Sequence, residues 1–224
     1  MQLLNLKGAI VTLDAMATQT EIAQQIKSGG GDYVLALKGN QGKLFQQVEG
    51  WFDQAIARDW QGIEYSYHEK VESGHHRIET RQIWVVPVSQ LPPLHRQSLW
   101  PGLTTVVMVR SVRQLWNKTT TEIRFFISSL AADAQKHAEV IRSHWSIENS
   151  LHWVLDVTMG EDDCPIYRGD AAEILACIRH MGLNMLRAET SRKASVRRKQ
   201  KIAGMSSEYL ETVLNAGLKK LGEI

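Results

Sequence analysis

The chain has 224 residues and only two cysteines, Cys164 and Cys177, far apart and in no C-x-x-C, so neither a disulfide framework nor a zinc knuckle is supported. It has no run of roughly 18 or more apolar residues, the length a bilayer-spanning helix requires. The opening "MQLLNLKGAIVTLD" carries a lysine and an apolar run, but that run holds a threonine and ends at an aspartate. Without a small-residue cleavage site it reads as a strand rather than a signal peptide. There is no G-x-S-x-G, no P-loop, no dinucleotide-binding glycine fingerprint and no H-E-x-x-H, which leaves serine hydrolases, nucleotide-dependent enzymes and the common zinc hydrolases unsupported. Internal repeats and low-complexity tracts are absent too. Net charge is +2 and the pI about 8.5, too mild to establish a polyanionic partner by itself. The expectation is a cytoplasmic protein with no membrane attachment.

What is present is an ordinary globular balance, 43% hydrophobic and 22% charged residues. "GAIVTLDA" is a continuous β-branched run that predicts a buried strand ending at Asp14. "TQTEIAQQIKSGGG" follows as a helix, with Thr18 and Glu21 at capping-box spacing and glycines after the last turn. "DYVLALKGNQ" predicts a second buried strand and "KLFQQVEGWFDQAIARDW" a long amphipathic helix. Strand, helix, strand, helix with short connections argues an α/β unit. From about Ile63 to Leu130 the pattern turns to alternating or β-branched runs, which predict antiparallel strands inserted into or appended to that unit. "RFFISSL" is the best candidate to rejoin the main sheet. Three helices are predicted beyond it: Asp133 to about Val157, Ala171 to Ala188, and Ser206 to Leu221.

Two acids stand out. Asp14 closes the first strand, at the carboxyl end where open α/β sheets place ligands. On "RSHWSIENSLHWVLDV", an advance of about 100° per residue puts Ile147, Leu151 and Val154 at the centre of an apolar face, and Glu148 beside it. Carboxylates suit Mg²⁺ or Mn²⁺, and a cation would offset the cost of a charge in apolar surroundings. The plainer readings are that Asp14 caps a turn and that Glu148 pairs with a distant arginine. His144, Glu148 and His152 also follow at i, i+4 spacing, compatible with a transition-metal set, although histidines so placed are more often packing residues or hydrogen-bond donors. "SRKASVRRKQK", Ser191 to Lys201, gathers six Lys or Arg residues. It can be a solvated linker or a contact for DNA phosphates.

The blocks "VTLDAMATQ", "YVLALKGNQ", "GHHRIETR", "RFFISSL" and "RSHWSIENSLHWVLDVTMGEDD", in this order, resemble DDE-type insertion-sequence transposases, in the branch of H-repeat-associated proteins of Rhs elements. The resemblance covers almost the whole chain. It implies an RNase H-like core, here incomplete (a mixed sheet flanked by helices), with a β-rich insertion before the catalytic-Glu helix and a helical C-terminus. It also implies an Asp-Asp-Glu triad holding Mg²⁺ or Mn²⁺, with Asp14 similar to the second Asp and Glu148 to the Glu. Lys38, Asn40 and Gln41 fill the "KGNQ" block, whose polar groups would face DNA or brace the site. Asn149 would meet phosphate or base, or support a local turn. Arg77 would contact the DNA backbone or sit in a solvated turn.

Two departures qualify the resemblance. Around the catalytic Glu, the commoner pattern of Tyr, Arg, Glu and Lys is here Ile141, His144, Glu148 and Leu155, with His144 standing in for the Arg as a DNA contact. The first Asp, expected on an earlier strand, has no counterpart. The implied organisation is residues 1–60 as the first part of the core, 61–122 as the insertion, 123–190 as the second part with the Glu helix, and 191–224 as basic linker and last helix. The implied function is that of the C-terminal catalytic-core portion of a transposase, which would cut and join DNA by metal-dependent strand cleavage and transfer. It is expected to be inactive alone, because the first Asp is missing. Transposon-end DNA would be its partner, with a full-length transposase or a second copy of itself. The rivals are a non-catalytic DNA-binding or regulatory remnant, and a remnant that folds poorly.

Overall fold

The computed structural model describes residues 5–74 and 76–221, except the side chains of Glu148 and Asn149. Two compact units divide the chain, Met1–His144 and Trp145–Ile224. In the described residues no helix is long and apolar enough to cross a membrane.

The first unit begins with the strand, helix and strand that the β-branched runs and helical periodicity predict. Strand β1 (Ile10–Leu13) leads through α1 (Thr20–Ser28) to β2 (Asp32–Leu37), which pairs with β1 in parallel. Helix α2 (Gly42–Ala57) follows a short 3-10 turn, and then come two long antiparallel hairpins. The first pairs β3 (Ser66–Gly74) with β4 (Arg77–Pro87), the second β5 (Thr105–Leu115) with β6 (Lys118–Ser128). Both join the α/β part in one six-stranded mixed sheet of order β1-β2-β6-β5-β4-β3. The join is the "RFFISSL" strand: Phe126 lies opposite Ala36 and Ile127 opposite Leu35. The β-rich segment is thus continuous with the core sheet, because the inner ends of β5 and β6 are apolar on both faces.

Alternation along each strand sorts the core into two layers. Tyr33, Leu35, Val86, Val106, Met108, Phe125 and Ile127 face α1 and α2, which contribute Ala23, Ile26, Leu44, Val48 and Phe52. Val34, Ile83, Val85, Val107, Val109 and Phe126 face α3 (Ala134–Ile147) through Ala134, Val140 and Ile141. Asp133 starts α3, its carboxylate accepting from the Lys136 N–H at 2.9 Å.

The predicted capping box does not form. Thr18 is fully buried, and its hydroxyl lies within hydrogen-bond distance of the carbonyls of Asp14, at 2.9 Å, and Ala36, at 2.8 Å. Gln19 takes the N-cap position of α1 instead. The hydroxyl is drawn inward because it bridges the ends of β1 and β2, where two strand-end carbonyls need a donor.

His137, with no exposed surface, ties α3 to the sheet. Leu130 N–H donates to Ser128 Oγ at 3.0 Å, leaving the Ser128 hydroxyl to donate to Nε2 at 3.0 Å. Nδ1–H then donates to the Asp133 carbonyl at 2.7 Å. Burial holds the imidazole below its ordinary value of 6.5 despite that carbonyl, so the fold prefers the neutral ring. The unfolded chain therefore takes up a proton that the folded one refuses. Stability is complete above about pH 6.5 and declines as the pH falls below that value. Thermal unfolding between pH 7 and 5 should show this decline, and His137→Phe should flatten it while lowering stability at pH 7.

The helix predicted to run to Val157 changes character at Ile147. From Glu148 the backbone makes two π turns, Glu148–His152 and Val154–Thr158. A π turn closes a larger ring than an α turn, so the apolar phase slips. Ile147, expected at the centre of the face, is 47% exposed, whereas Leu155 is buried at 3%.

The second unit packs α4 (Ala171–Ala188), α5 (Val196–Met205) and α6 (Ser207–Leu221) around Leu186, Tyr209 and Val213. Helices α4 and α6 approach so closely that a Cβ at Gly217 would lie 2.4 Å from Met185 Cγ. Much of the basic stretch predicted as a linker is helix α5, and the cause is Glu189. Its carboxylate is 1% exposed and accepts from Tyr209 Oη–H at 2.6 Å, Arg192 N–H at 3.1 Å and the Ser191 hydroxyl. Lys199 pairs with it at 3.2 Å and donates to the Leu186 and Glu189 carbonyls. Burial alone would raise the Glu189 pKa, but these donors hold it at about 2, while Tyr209 is pushed up to about 12. A lysine that the charge pattern assigns to solvent thus becomes the interior anchor of α5.

Candidate nucleic-acid and metal-binding site

Asp14 follows directly on β1 and is exposed. Its Oδ1 accepts the Ala17 N–H at 3.1 Å, so the carboxylate also closes the turn toward α1. That turn is held from the end of β2. Asn40 donates its side-chain amide to the Ala15 carbonyl, and Gln41 donates to the Thr18 carbonyl at 2.8 Å. With the Thr18 hydroxyl, three side chains fix the backbone around Asp14. Lys38, just past β2, is exposed.

Beside this turn lies a cleft of about 480 Å³, lined among others by Gln19, Glu21, Asn40, Lys43, His95 and Arg96. The N-cap residues of α1 and α2, Gln19 and Gln41, make no side-chain cap hydrogen bond. The partial positive charge of two helix starts therefore adds to Lys43 and Arg96, with Glu21 opposing. Such surroundings favour an anion. His95 is held against α2 by its N–H donating to Gln47 Oε1 at 2.6 Å, and Arg96 has a left-handed φ of 54°. Lys43, His95 and Arg96 are absent from the sequence reading. Residues 95 and 96 lie in an irregular connection whose path no periodicity reveals.

His144, on the last turn of α3, lies with Nδ1 3.0 Å from Thr12 Oγ1. Thr12 is two residues before Asp14, and the bond draws the end of α3 to the same end of β1. Glu148 and Asn149 belong to the next unit, and their side chains lie outside those described. Arg77, the first residue of β4, pairs with Glu79 at 2.8 Å. Glu79 faces Glu72 across the β3–β4 ladder, and Arg81 bridges both carboxylates. With Arg113 3.8 Å from Glu79, this network lies along the outer parts of the hairpins, apart from the turn at Asp14.

Among the described residues no group of three or more His, Cys, Asp or Glu could hold a metal ion. Asp14 offers one carboxylate with one oxygen already engaged. A hard divalent cation that takes six oxygens at short range is not held by that alone, so the described residues do not by themselves fit a metal centre.

The chain matches the family model described as "Transposase DDE domain" over residues 1–185. The chain belongs to the DDE transposase family. Within that family it is similar to "H repeat-associated putative transposase YhhI" of Escherichia coli strain K12, at 38% identity over 218 residues. That match covers 96% of this chain and 57% of YhhI. It is 41% identical over 227 residues to the YncI protein of Escherichia coli O157:H7, covering 99% of this chain and 56% of YncI. The YbfL protein of strain K12 is 39% identical over 218 residues, covering 96% of this chain and 57% of YbfL. The transposase-family chain thus spans a little over half the length of these curated relatives. The H-repeat-associated branch and the α/β core with a mixed sheet both agree with the sequence reading.

Proposed function

We propose that this chain is a catalytic-core portion of a DDE transposase that acts on DNA in the cytoplasm, with Asp14 and Glu148 as two of the carboxylates that hold Mg²⁺ or Mn²⁺. The observation that carries the reading is the braced turn at Asp14. Asn40, Gln41 and Thr18 hold an exposed carboxylate at the carboxyl end of a sheet strand, the position where α/β folds place ligands. The Thr12–His144 bond supports the assignment of Glu148. Glu148 follows His144 by four residues in the sequence.

On this reading Lys38 meets DNA phosphate, while Asn40 and Gln41 act through the turn they brace. Arg77, in the outer-hairpin network, and His144 and Asn149 remain proposed DNA contacts. On this reading the third ligand lies outside the described residues.

The chain alone is therefore expected to leave DNA intact. Incubation of supercoiled and short duplex DNA with the purified chain in Mg²⁺ or Mn²⁺ should give no nicked product. Nicking that disappears in Asp14→Ala or Glu148→Ala would show a complete site and overturn the claim of inactivity. Failure to bind duplex DNA even at low salt would remove the transposase reading of this chain.

A further inference from the structure

Helix α5 presents its cations in an order that local electrostatics disfavours. Arg197, Arg198 and Lys199 occupy the first turn, where the helix dipole is already positive, and no acid accompanies them. The Ser195 hydroxyl caps the helix by accepting the Arg198 N–H at 3.3 Å. Lys199 is neutralised inside the unit by Glu189. Its burial fixes the rotation of α5. At about 100° per residue, Arg197 and Lys201 lie on the side opposite Lys199, and Arg198 about 60° beyond Lys201. All three are exposed, as are Arg192 and Lys193 just before the helix. Arg192 is held in place over the Tyr209 ring, 5.1 Å from its centroid. The loop before α5 continues into a groove lined by Thr190, Ser191, Thr212, Asn215, Lys219 and Lys220. Cations beside hydroxyl and amide donors are the side-chain set that engages phosphate oxygens.

We infer that the outer face of α5, with Arg197, Arg198 and Lys201 at its centre, is a docking surface for the phosphate backbone of duplex DNA, separate from the turn at Asp14. The choice of duplex DNA rests on the transposase reading; the concentration of uncompensated charge does not. Arg197 and Lys201 stand one turn apart, about 6 Å along the axis, so both can meet one backbone. The contact reads charge and spacing, and it is expected to be indifferent to base sequence and strongly weakened by salt.

The test is fluorescence anisotropy of a labelled duplex of arbitrary sequence, titrated with the full chain across a range of salt. Replacing three phosphate-contacting charges in Arg197→Gln/Arg198→Gln/Lys201→Gln should make the slope of log K against log salt shallower by about 2–3 and weaken binding about tenfold or more at low salt. Circular dichroism should stay unchanged, because Lys199 and Glu189 are untouched. If the triple variant does not fold, Lys201→Gln alone should reduce the slope by about 1. Wild-type binding with an unchanged slope in the variants overturns the docking surface and leaves the transposase reading standing. No binding by the wild type at low salt overturns both. Tighter capture by phosphatidylserine vesicles than by duplex would assign the surface to a membrane and overturn the inference.

Discussion

Glu189→Ala should destabilise the helical unit by about 3–5 kcal/mol, the range found when one partner of a buried ion pair is removed. The size follows from what the truncation strands. Lys199, 7% exposed, would keep its charge with only the Leu186 and Glu189 carbonyls for company. Tyr209, the Arg192 N–H and the Ser191 hydroxyl would lose their acceptor together. Four elements meet at this carboxylate: the end of α4, the loop after it, α5, and α6 through Tyr209. The loss should therefore appear as cooperative melting of helix, read by far-UV ellipticity in urea. Glu189→Leu with Lys199→Met should recover part of it, since no buried charge is then left alone, while Tyr209, the Arg192 N–H and the Ser191 hydroxyl still lack the acceptor. Acid provides an independent check. With the folded pKa near 2 against an ordinary 4.5, the contribution is present above about pH 4.5 and is lost as the pH falls toward 2. A variant unfolding at the wild-type midpoint would show that the pair contributes nothing.

The elements were legible wherever a period was clean. The β-branched runs before Asp14 and Gly39 became β1 and β2, and "RFFISSL" rejoined the sheet because its Phe125, Phe126 and Ile127 are buried on both faces. Periodicity carries no information about partners beyond the segment. Nothing local to Lys199 distinguishes it from Arg197 or Arg198, and only the three-dimensional approach of Glu189 selects it for burial. The end of the predicted long helix was misphased for a related reason. A fixed angular step assumes α geometry, and two π turns after Ile147 break that assumption without any glycine or proline to announce them. At the candidate site, Asp14 was visible as a strand-end acid. Its bracing by Asn40 and Gln41 joins residues more than twenty positions apart, and the cleft formed with Lys43 and Arg96 depends on a connection that has no pattern at all.

Phe52→Ala should cost about 3–5 kcal/mol in the sheet-bearing unit, the range for truncating a buried phenylalanine, and the damage should reach the turn at Asp14. Phe52 has no exposed surface. Its ring sits edge-on to Trp51 at 5.3 Å and Trp60 at 6.0 Å, and tilted against Phe125 at 5.7 Å. With Phe45, also 5.7 Å from the Phe125 ring, it holds α2 against β6, the strand that joins the hairpins to β2. The same helix starts immediately after Asn40 and Gln41, whose amides hold the carbonyls of Ala15 and Thr18. A loosened α2 moves those two residues with it. Hydrogen exchange should therefore accelerate at the Ala17 N–H, which donates to Asp14, well before the sheet amides of Val107 or Ile127 are affected. Asn40→Ala with Gln41→Ala should reproduce the faster exchange at Ala17 with a much smaller loss of global stability. If Phe52→Ala lowered the melting midpoint while leaving exchange at Ala17 in step with the sheet, the brace would be a passive contact, and the rigidity of the carboxylate would have to come from β1 itself.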